Sequence, residues 1–556
     1  MTAKMEWIAP GPGRWALDRS HINQPATSIC QRIHLTNVPI GTREMFEYIG
    51  APLDALEFRF VNGLIYTRIR PLIAPDKPAA KLPPLPLLKL AIRLHPSMRK
   101  RRKTAERTLA ERPWRAVVDE WRRPGGHRDR ITTRNLELQD VDRAALDDEQ
   151  SIAHVRAALT HAHEMMRMHF WLHGFDLGPI GFLLHSAESW GVERSSLVPL
   201  LEGASPSTSE AERAMLEIKR MVDASGRQPR DLDDIRSISH EIAAAIDAFL
   251  RVRGAMIFSR YDIDGLCLSE APDVLFASIM AARDETERAN EVTERVARLT
   301  NEVRARIPSH LKTDFDDKLA EARAAMDLRD DNGPHTLEWP NGLIKLALLE
   351  VGRRLAARGL VHDASHALEL DEPEITIALF DGRGPSADEL ARRAHWRATV
   401  DVSDAPRVLG TPEPPPPLHV LPPAMARIAG GMQTILAEAG MDGEVRTTGL
   451  TGVGVGNGVH RGRVCRADTP EDAIANLQDG DVLVVPTTTP AYNMVLAMAG
   501  AVVTAEGGVL SHAAVLAREL GIPGVIGAPQ AMNVLRDGMI VDVDSVAGEI
   551  RIVADS

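Results

Sequence analysis

Ala501-Val-Val-Thr504-Ala-Glu-Gly507-Gly508-Val-Leu-Ser511-His512-Ala-Ala-Val-Leu-Ala-Arg518-Glu-Leu-Gly521-Ile-Pro523 has the pattern of a strand, a turn and a helix in immediate succession. The apolar, β-branched run Ala501–Thr504 reads as the end of a buried strand. Gly507 and Gly508 permit a turn with positive φ. Ser511 is a good N-cap, and His512–Leu520 is a short helix closed by Gly521 and Pro523. His512 therefore stands at the positive end of a helix, where backbone N–H groups favour an anion. A neutral imidazole is nucleophilic near pH 7 and can accept a phosphoryl group on a ring nitrogen. A histidine that simply begins a helix in an ordinary α/β domain has the same local pattern.

The longer pattern Gly-Gly-x-x-Ser-His-Ala-Ala-x-x-Ala-Arg-x-x-x-Ile-Pro at 507–523 resembles the phosphohistidine signature of the PEP-utilising enzymes. That family includes phosphoenolpyruvate synthase, pyruvate phosphate dikinase, enzyme I of the sugar phosphotransferase system and rifampicin phosphotransferase. Segments 449–458, 462–464, 480–485 and 537–543 resemble the strands and turns of its swivelling β/β/α domain. The resemblance implies phosphorylation of His512, with Gly507, Gly508, Ser511 and Arg518 supporting the phosphoryl group. Leu510 stands where several dikinases carry a threonine, two residues before the histidine. Control by phosphorylation at that position is therefore excluded, whereas transfer through His512 is not.

Composition sets outer limits. A chain of 556 residues has room for about three domains of average size. A formal net charge of −12 argues against a broad nucleic-acid footprint, which needs a basic face. Cys30, Cys267 and Cys465 are far apart and lack metal-ligand spacing, which suits a reducing compartment. The N-terminal residues lack the apolar core of a signal peptide, and the apolar stretches are too short to span a membrane. A soluble cytoplasmic protein, with neither nucleic acid nor membrane as partner, is the expectation. The basic run Met98-Arg-Lys-Arg-Arg-Lys103 follows a proline-rich stretch. It suits anionic lipid or nucleic acid, but reads more simply as a solvated helix face.

Val408-Leu-Gly-Thr-Pro-Glu-Pro-Pro-Pro-Pro-Leu-His-Val-Leu-Pro-Pro423 divides the chain, since it can form neither a helix nor a central strand. Upstream, three- and four-residue apolar steps predict helices over 147–172, 209–222, 233–252, 284–306 and 339–358. Residues 58–68 read as a hairpin turning at Asn62-Gly63. The expected fold is α+β and multidomain. A mostly helical substrate-binding domain spans 1–405, a proline-rich linker and hinge 406–445, and a swivelling phosphohistidine domain 446–556.

The front region carries a looser resemblance. Trp15-x-x-Asp18-x-x-His21-x-x-x-Pro25 and Val61-Asn-Gly-Leu-Ile-Tyr66 resemble the opening of the substrate domain of rifampicin phosphotransferase. Leu201-Glu-Gly203, Leu328-Arg-Asp-Asp331 and the run 348–359 are similar to later parts of it. No glycine-rich nucleotide loop precedes these motifs, and the 44 residues after His512 leave no room for a phosphoenolpyruvate-binding barrel. The arrangement is similar to split systems such as phenylphosphate synthase and alkylphenol phosphate synthase, in which a separate subunit binds ATP. This resemblance implies ATP and Mg2+ on a partner subunit and a phosphohistidine intermediate on His512. The acceptor would be a small hydroxyl compound, best guessed as a phenol. Products would be AMP, phosphate and a phosphate monoester.

Acceptor-site candidates are weaker. Lys345 is a cation on an otherwise apolar helix face, matching by resemblance a basic residue of rifampicin phosphotransferase. It reads as a phosphoryl clamp or as a surface lysine. Asp18 and His21 form an acid–base pair or a structural hydrogen bond. His169 and His173, four apart in a cluster with His154, His161, His163 and His185, share a helix face as metal ligands would. No third ligand follows at suitable spacing, so no metal is expected and a pocket-lining or structural role is preferred. Met165, Met166, Met168, Phe170 and Trp171 read as core, although they would suit an aromatic ligand. Two rival functions stay open: a phosphocarrier that relays phosphate to another protein, and a ligase that activates a carbonyl or enol through the phosphoenzyme.

Overall fold

The protein's structure, a computed structural model, describes residues 5–18, 22–283, 286–439, 449–456, 458–488, 492–496 and 498–554. The chain forms two compact units. The first comprises Met1–Phe175, Ala255–Gly265 and Asp331–Ala429; the second comprises Asp176–Gly254, Leu266–Asp330 and Gly430–Ser556.

The first unit is mostly helical around a small antiparallel sheet. Its strands are β1 (Arg14–Leu17), β2 (Leu53–Val61), β3 (Leu64–Pro71) and β4 (Val408–Gly410), in the order β2-β3-β1-β4. The hairpin between β2 and β3 turns at Asn62 (φ +50°) and Gly63 (φ +79°), as the Asn-Gly pair requires. Helix Ser28–Ile49 begins at the N-cap Thr27, whose hydroxyl accepts from Cys30 N. Thr27 is itself fixed by the buried Asp262 carboxylate, donating through N (2.7 Å) and Oγ1 (2.6 Å). Ile29, Ile33 and Val38 of this helix join Phe58, Ile65, Val155, Leu159, Met166, Ile344, Leu348 and Val351 in one apolar core.

The second unit combines helices with a seven-stranded sheet. Its strands are β5 (Val453–Val455), β6 (Val459–Arg466), β7 (Val482–Val485), β8 (Ala501–Thr504), β9 (Gly524–Ile526), β10 (Ile540–Asp544) and β11 (Glu549–Ala554). The order is β11-β10-β6-β7-β8-β9-β5, with β6 to β9 parallel and the flanking pairs antiparallel. Every residue of β7 and β8 is buried, because alternate side chains enter two cores. Leu483, Val485 and Val502 meet Ala513, Ala514 and Ala517, while Val482, Val484 and Val503 meet Ala531, Leu535 and Val541.

Helices at Asp148–His185, Thr208–Ala224, Thr286–Arg306 and Trp339–Ala357 overlap four of the periodic segments. The 233–252 stretch is two helices, Leu232–Ile238 and His240–Arg253. Ser239 interrupts it with extended backbone and caps the second helix by accepting from Ile242 N, a competition typical of serine. The compact units cut across the expected 1–405 and 446–556 divisions, since residues 176–254 and 266–330 group with the C-terminal sheet. Residues 406–439 are also more ordered than a spacer. Val408–Gly410 pairs with β1 as an edge strand, where nearby prolines are tolerated. Glu413 accepts twice from the buried Arg68 guanidinium, at 2.8 and 2.9 Å. Pro423 then opens the helix Pro423–Glu438, a position that needs no N–H donor. Residues 440–448 lie outside those described. Among the described residues no helix is long and apolar enough to cross a membrane.

Candidate functional site

The carboxyl ends of β7 and β8 lie side by side, with Val485 paired to Thr504. Loops leaving such ends form the usual crevice of parallel sheets. Here they carry Thr488 and His512. Thr504 shapes the second loop: its hydroxyl donates to Glu506 O (2.7 Å) and accepts from Gly527 N (3.2 Å). Gly507 takes φ +111°, and a Cβ there would stand 3.0 Å from the Ser511 side chain, so only glycine fits without strain. The positive φ expected of the glycine pair thus falls on Gly507 and not on Gly508. Ser511 caps the helix His512–Leu520 by accepting from Ala514 N, and Gly521 ends it at φ +62°.

His512 is the first helical residue and as a whole is half-buried. Its Nδ1 lies 2.9 Å from Thr488 Oγ1. Burial, and then the positive charge of Arg329, push its pKa down to about 4. The imidazole is therefore neutral at physiological pH. When Nδ1–H donates to Thr488, the lone pair resides on Nε2.

Two arginines fix the loop before the histidine. Arg518 Nη1 donates to Val509 O (2.6 Å), and Arg329 Nη2 donates to Leu510 O (2.8 Å). Leu510 N donates in turn to Glu438 O. The Leu510 side chain is buried with Ile180, Leu183, Trp190, Val303, Phe315 and Met326. Leu510 is thus an apolar anchor of the loop. Thr488 and Arg329 escaped sequence reasoning. Arg329 lies inside the quoted Leu328-Arg-Asp-Asp331 motif, whereas nothing in the Thr487-Thr488-Thr489 run distinguishes its middle member.

The remaining candidates lie in the first unit. Lys345 is not at a surface: it is 5% exposed and its Nζ donates to Gly265 O at 2.7 Å. The apolar surroundings that suggested an edge lysine enclose it. Asp18 N donates to Ile65 O, and the Asp18 charge, after burial and Glu338, contributes to raising the Tyr261 pKa. His21 lies outside the described residues. The His169 and His173 rings meet edge to face, centres 4.6 Å apart. His169 Nδ1 is 3.0 Å from Thr336 Oγ1 and 3.2 Å from Asn332 Oδ1. Thr336 belongs to a π turn, Pro334–Glu338, that precedes helix Trp339–Ala357. Such wider turns often accompany functional sites. Among the described residues no group of three His, Cys, Asp or Glu is placed to hold a metal ion. Met166 is core, whereas Met165, Met168 and Trp171 line an open groove of about 350 Å³ with Glu44, Glu164 and Arg167.

Residues 477–548, which contain this histidine loop, match the family model described as "PEP-utilising enzyme, mobile domain". That stretch is similar to the mobile domain of PEP-utilising enzymes. The chain's similarity to curated proteins extends further. A chondramide synthase of Chondromyces crocatus is 28% identical over 384 residues, covering 64% of this chain and 10% of that protein. The uncharacterized phosphotransferase YvkC of Bacillus subtilis is 29% identical over 247 residues, 44% of this chain and 28% of that protein. A phosphoenolpyruvate synthase of Aeropyrum pernix is 46% identical over 113 residues, 20% of this chain and 13% of the synthase. The chain thus covers less than a third of each of these relatives.

Proposed function

We propose that the chain is the histidine-bearing part of a dikinase-type phosphotransferase. One observation carries this reading: a neutral His512, held through Nδ1, begins a helix within a PEP-utilising mobile domain. In the proposed cycle Nε2 takes the β-phosphoryl of ATP bound, with its Mg2+, on a separate polypeptide. AMP leaves, and water takes the γ-phosphoryl as inorganic phosphate. The phosphoryl group on Nε2 then passes to the oxygen of a small hydroxyl compound. The P–N bond breaks, the P–O bond forms, and the hydroxyl proton goes to a base. Gly507, Ser511 and the first helical turn supply the dipolar setting for the phosphoryl group. Arg518 holds the loop rather than the phosphate in the geometry described.

The acceptor is proposed to be a phenol or alkylphenol, bound in the region preceding residue 406. Support comes from the resemblance of the domain arrangement to split phenol-phosphorylating systems and from the aromatic and histidine cluster of Phe58, Phe170, His169 and His173. Lys345 and Asp18 remain candidates for handling charge and proton there. The swinging of residues 446–556 between two sites, with 406–445 as hinge, belongs to the same proposal. A second reading, a phosphoenzyme-dependent ligase, is kept because one match, over 384 residues of the chain, is to a synthase.

The test uses the full chain, ATP labelled in the β-phosphate, and an ATP-binding-domain protein that co-purifies with it. The expected result is an acid-labile phosphoryl label on His512, and AMP formation stimulated by a phenol with release of its phosphate ester. A coupled product in place of the ester supports the ligase. ATP hydrolysis by this chain alone would overturn the two-polypeptide reading.

A further inference from the structure

Residues 77–105 contain nine lysines and arginines and no aspartate or glutamate, in a chain whose net charge is −12. The segment lies wholly within the first unit. It folds as two consecutive helices, Leu85–Leu94 and Pro96–Glu111. The first helix buries only Ile92. Leu87, Leu90 and Leu94 share the opposite face, spaced three and four residues apart, and are 60%, 52% and 57% exposed. Lys89 and Arg93 flank that face, and Arg99, Lys100 and Lys103 of the second helix are exposed as well. None of these five cations has an ion-pair partner among the described residues. The second helix gives up only Arg101 and Arg102 to internal pairs, with Glu47 and Glu106.

An aliphatic face in water is unfavourable unless something covers it, and the surrounding cations restrict what that can be. A protein interface is centred on aromatic residues and arginine, with leucine and lysine under-represented. A nucleic-acid site has no use for three adjacent leucines. Leucines on one face with lysine and arginine beside them is the composition of a helix lying in the interface of an anionic bilayer. Acidic residues elsewhere on the chain oppose this only weakly, because salt screens charges beyond about 10 Å at 0.1 M ionic strength. We infer that the Leu85–Leu94 helix and the basic helix after it form a peripheral docking surface for an anionic lipid membrane. Leu87, Leu90 and Leu94 enter the acyl boundary, while Lys89, Arg93, Arg99, Lys100 and Lys103 meet the headgroups. The inference is independent of the chemistry at His512.

Co-flotation of the full chain with vesicles tests it. Phosphatidylcholine vesicles are compared with vesicles that also contain phosphatidylglycerol. The wild type is expected to float with the anionic vesicles about tenfold more tightly than with the neutral ones, and to release in high salt. A Leu87→Ser/Leu90→Ser/Leu94→Ser variant and a Lys89→Glu/Arg93→Glu/Lys100→Glu variant should each lose binding about tenfold or more. Their circular dichroism and thermal unfolding should be unchanged, since all six side chains are exposed. In a Leu90→Trp variant, anionic vesicles should shift tryptophan emission to the blue and brominated acyl chains should quench it. Failure of the wild type to bind anionic vesicles, or binding that survives both sets of substitutions, overturns the proposal. So does concentration-dependent self-association in sedimentation that the leucine variant abolishes, which would assign the face to a second copy of the chain.

Discussion

His512 and His161 have the same electrostatic signature and different surroundings. Burial, followed by a nearby arginine, pushes each pKa down to about 4. His161 is 4% exposed within helix Asp148–His185, and its Nε2 lies 2.7 Å from Asn135 Oδ1. Its neighbours Ala158, Leu159 and Ala162 are core, and mid-helix backbone offers no free donors. His512 stands at the first turn of a helix, after a loop held by Gly507 and two arginine–carbonyl bonds. A depressed pKa therefore marks enclosure in both. What distinguishes the candidate nucleophile is the backbone around it.

Breaking the comparison at its strong end gives the largest effect. His512→Ala should abolish phosphoryl labelling by about 10⁴-fold or more, as loss of a nucleophile does, while His161→Leu should leave labelling intact. Thr488→Val tests the next contact. It frees Nδ1 and lets the imidazole choose either tautomer, so labelling should fall about tenfold to a hundredfold, in line with loss of a buried partner worth about 1–3 kcal/mol. Circular dichroism should show an unchanged fold.

His161→Leu should instead cost stability, about 1–3 kcal/mol in urea unfolding, because Asn135 is left with an unpaired buried oxygen. A linked result follows from the sign of the two shifts. Both histidines resist protonation when folded, so the unfolded chain takes up the protons first. Their contribution to stability is complete above about 6.5 and lost as the pH falls toward about 4. The His161→Leu/His512→Ala double variant should show a shallower loss across that window. The smallest expected effect is from Arg329→Gln. Removing a charge that lowers the His512 pKa should move the acid limb of the labelling profile to higher pH, with only a modest change at its plateau.

Much of the histidine loop was legible in sequence because local chemistry determines it. A strand end, a positive-φ glycine, a serine cap and an αL glycine each act over a few residues. The Asn62-Gly63 hairpin was readable for the same reason. The contacts of Thr488 and Arg329 were not, since they depend on parallel strand register and on a helix far away in sequence. Lys345 shows the opposite failure. A lysine in an apolar helix suggests an edge, yet contacts that include the Gly265 carbonyl, from the Ala255–Gly265 excursion, let it be enclosed. The 233–252 periodicity likewise continues through Ser239, where the backbone does not.

Leu510 ties the loop of the neighbouring histidine to a buried apolar cluster. Any departure of the loop from the helices bearing Trp190, Phe315 and Met326 must draw a buried leucine into water, at a cost of about 1.5–3 kcal/mol. That corresponds to a residence time lengthened by roughly ten- to a hundredfold, provided the transition state has already exposed the side chain. Where a hydroxyl would offer a point of chemical control, this chain has a hydrocarbon whose hold on the loop is set by temperature and packing.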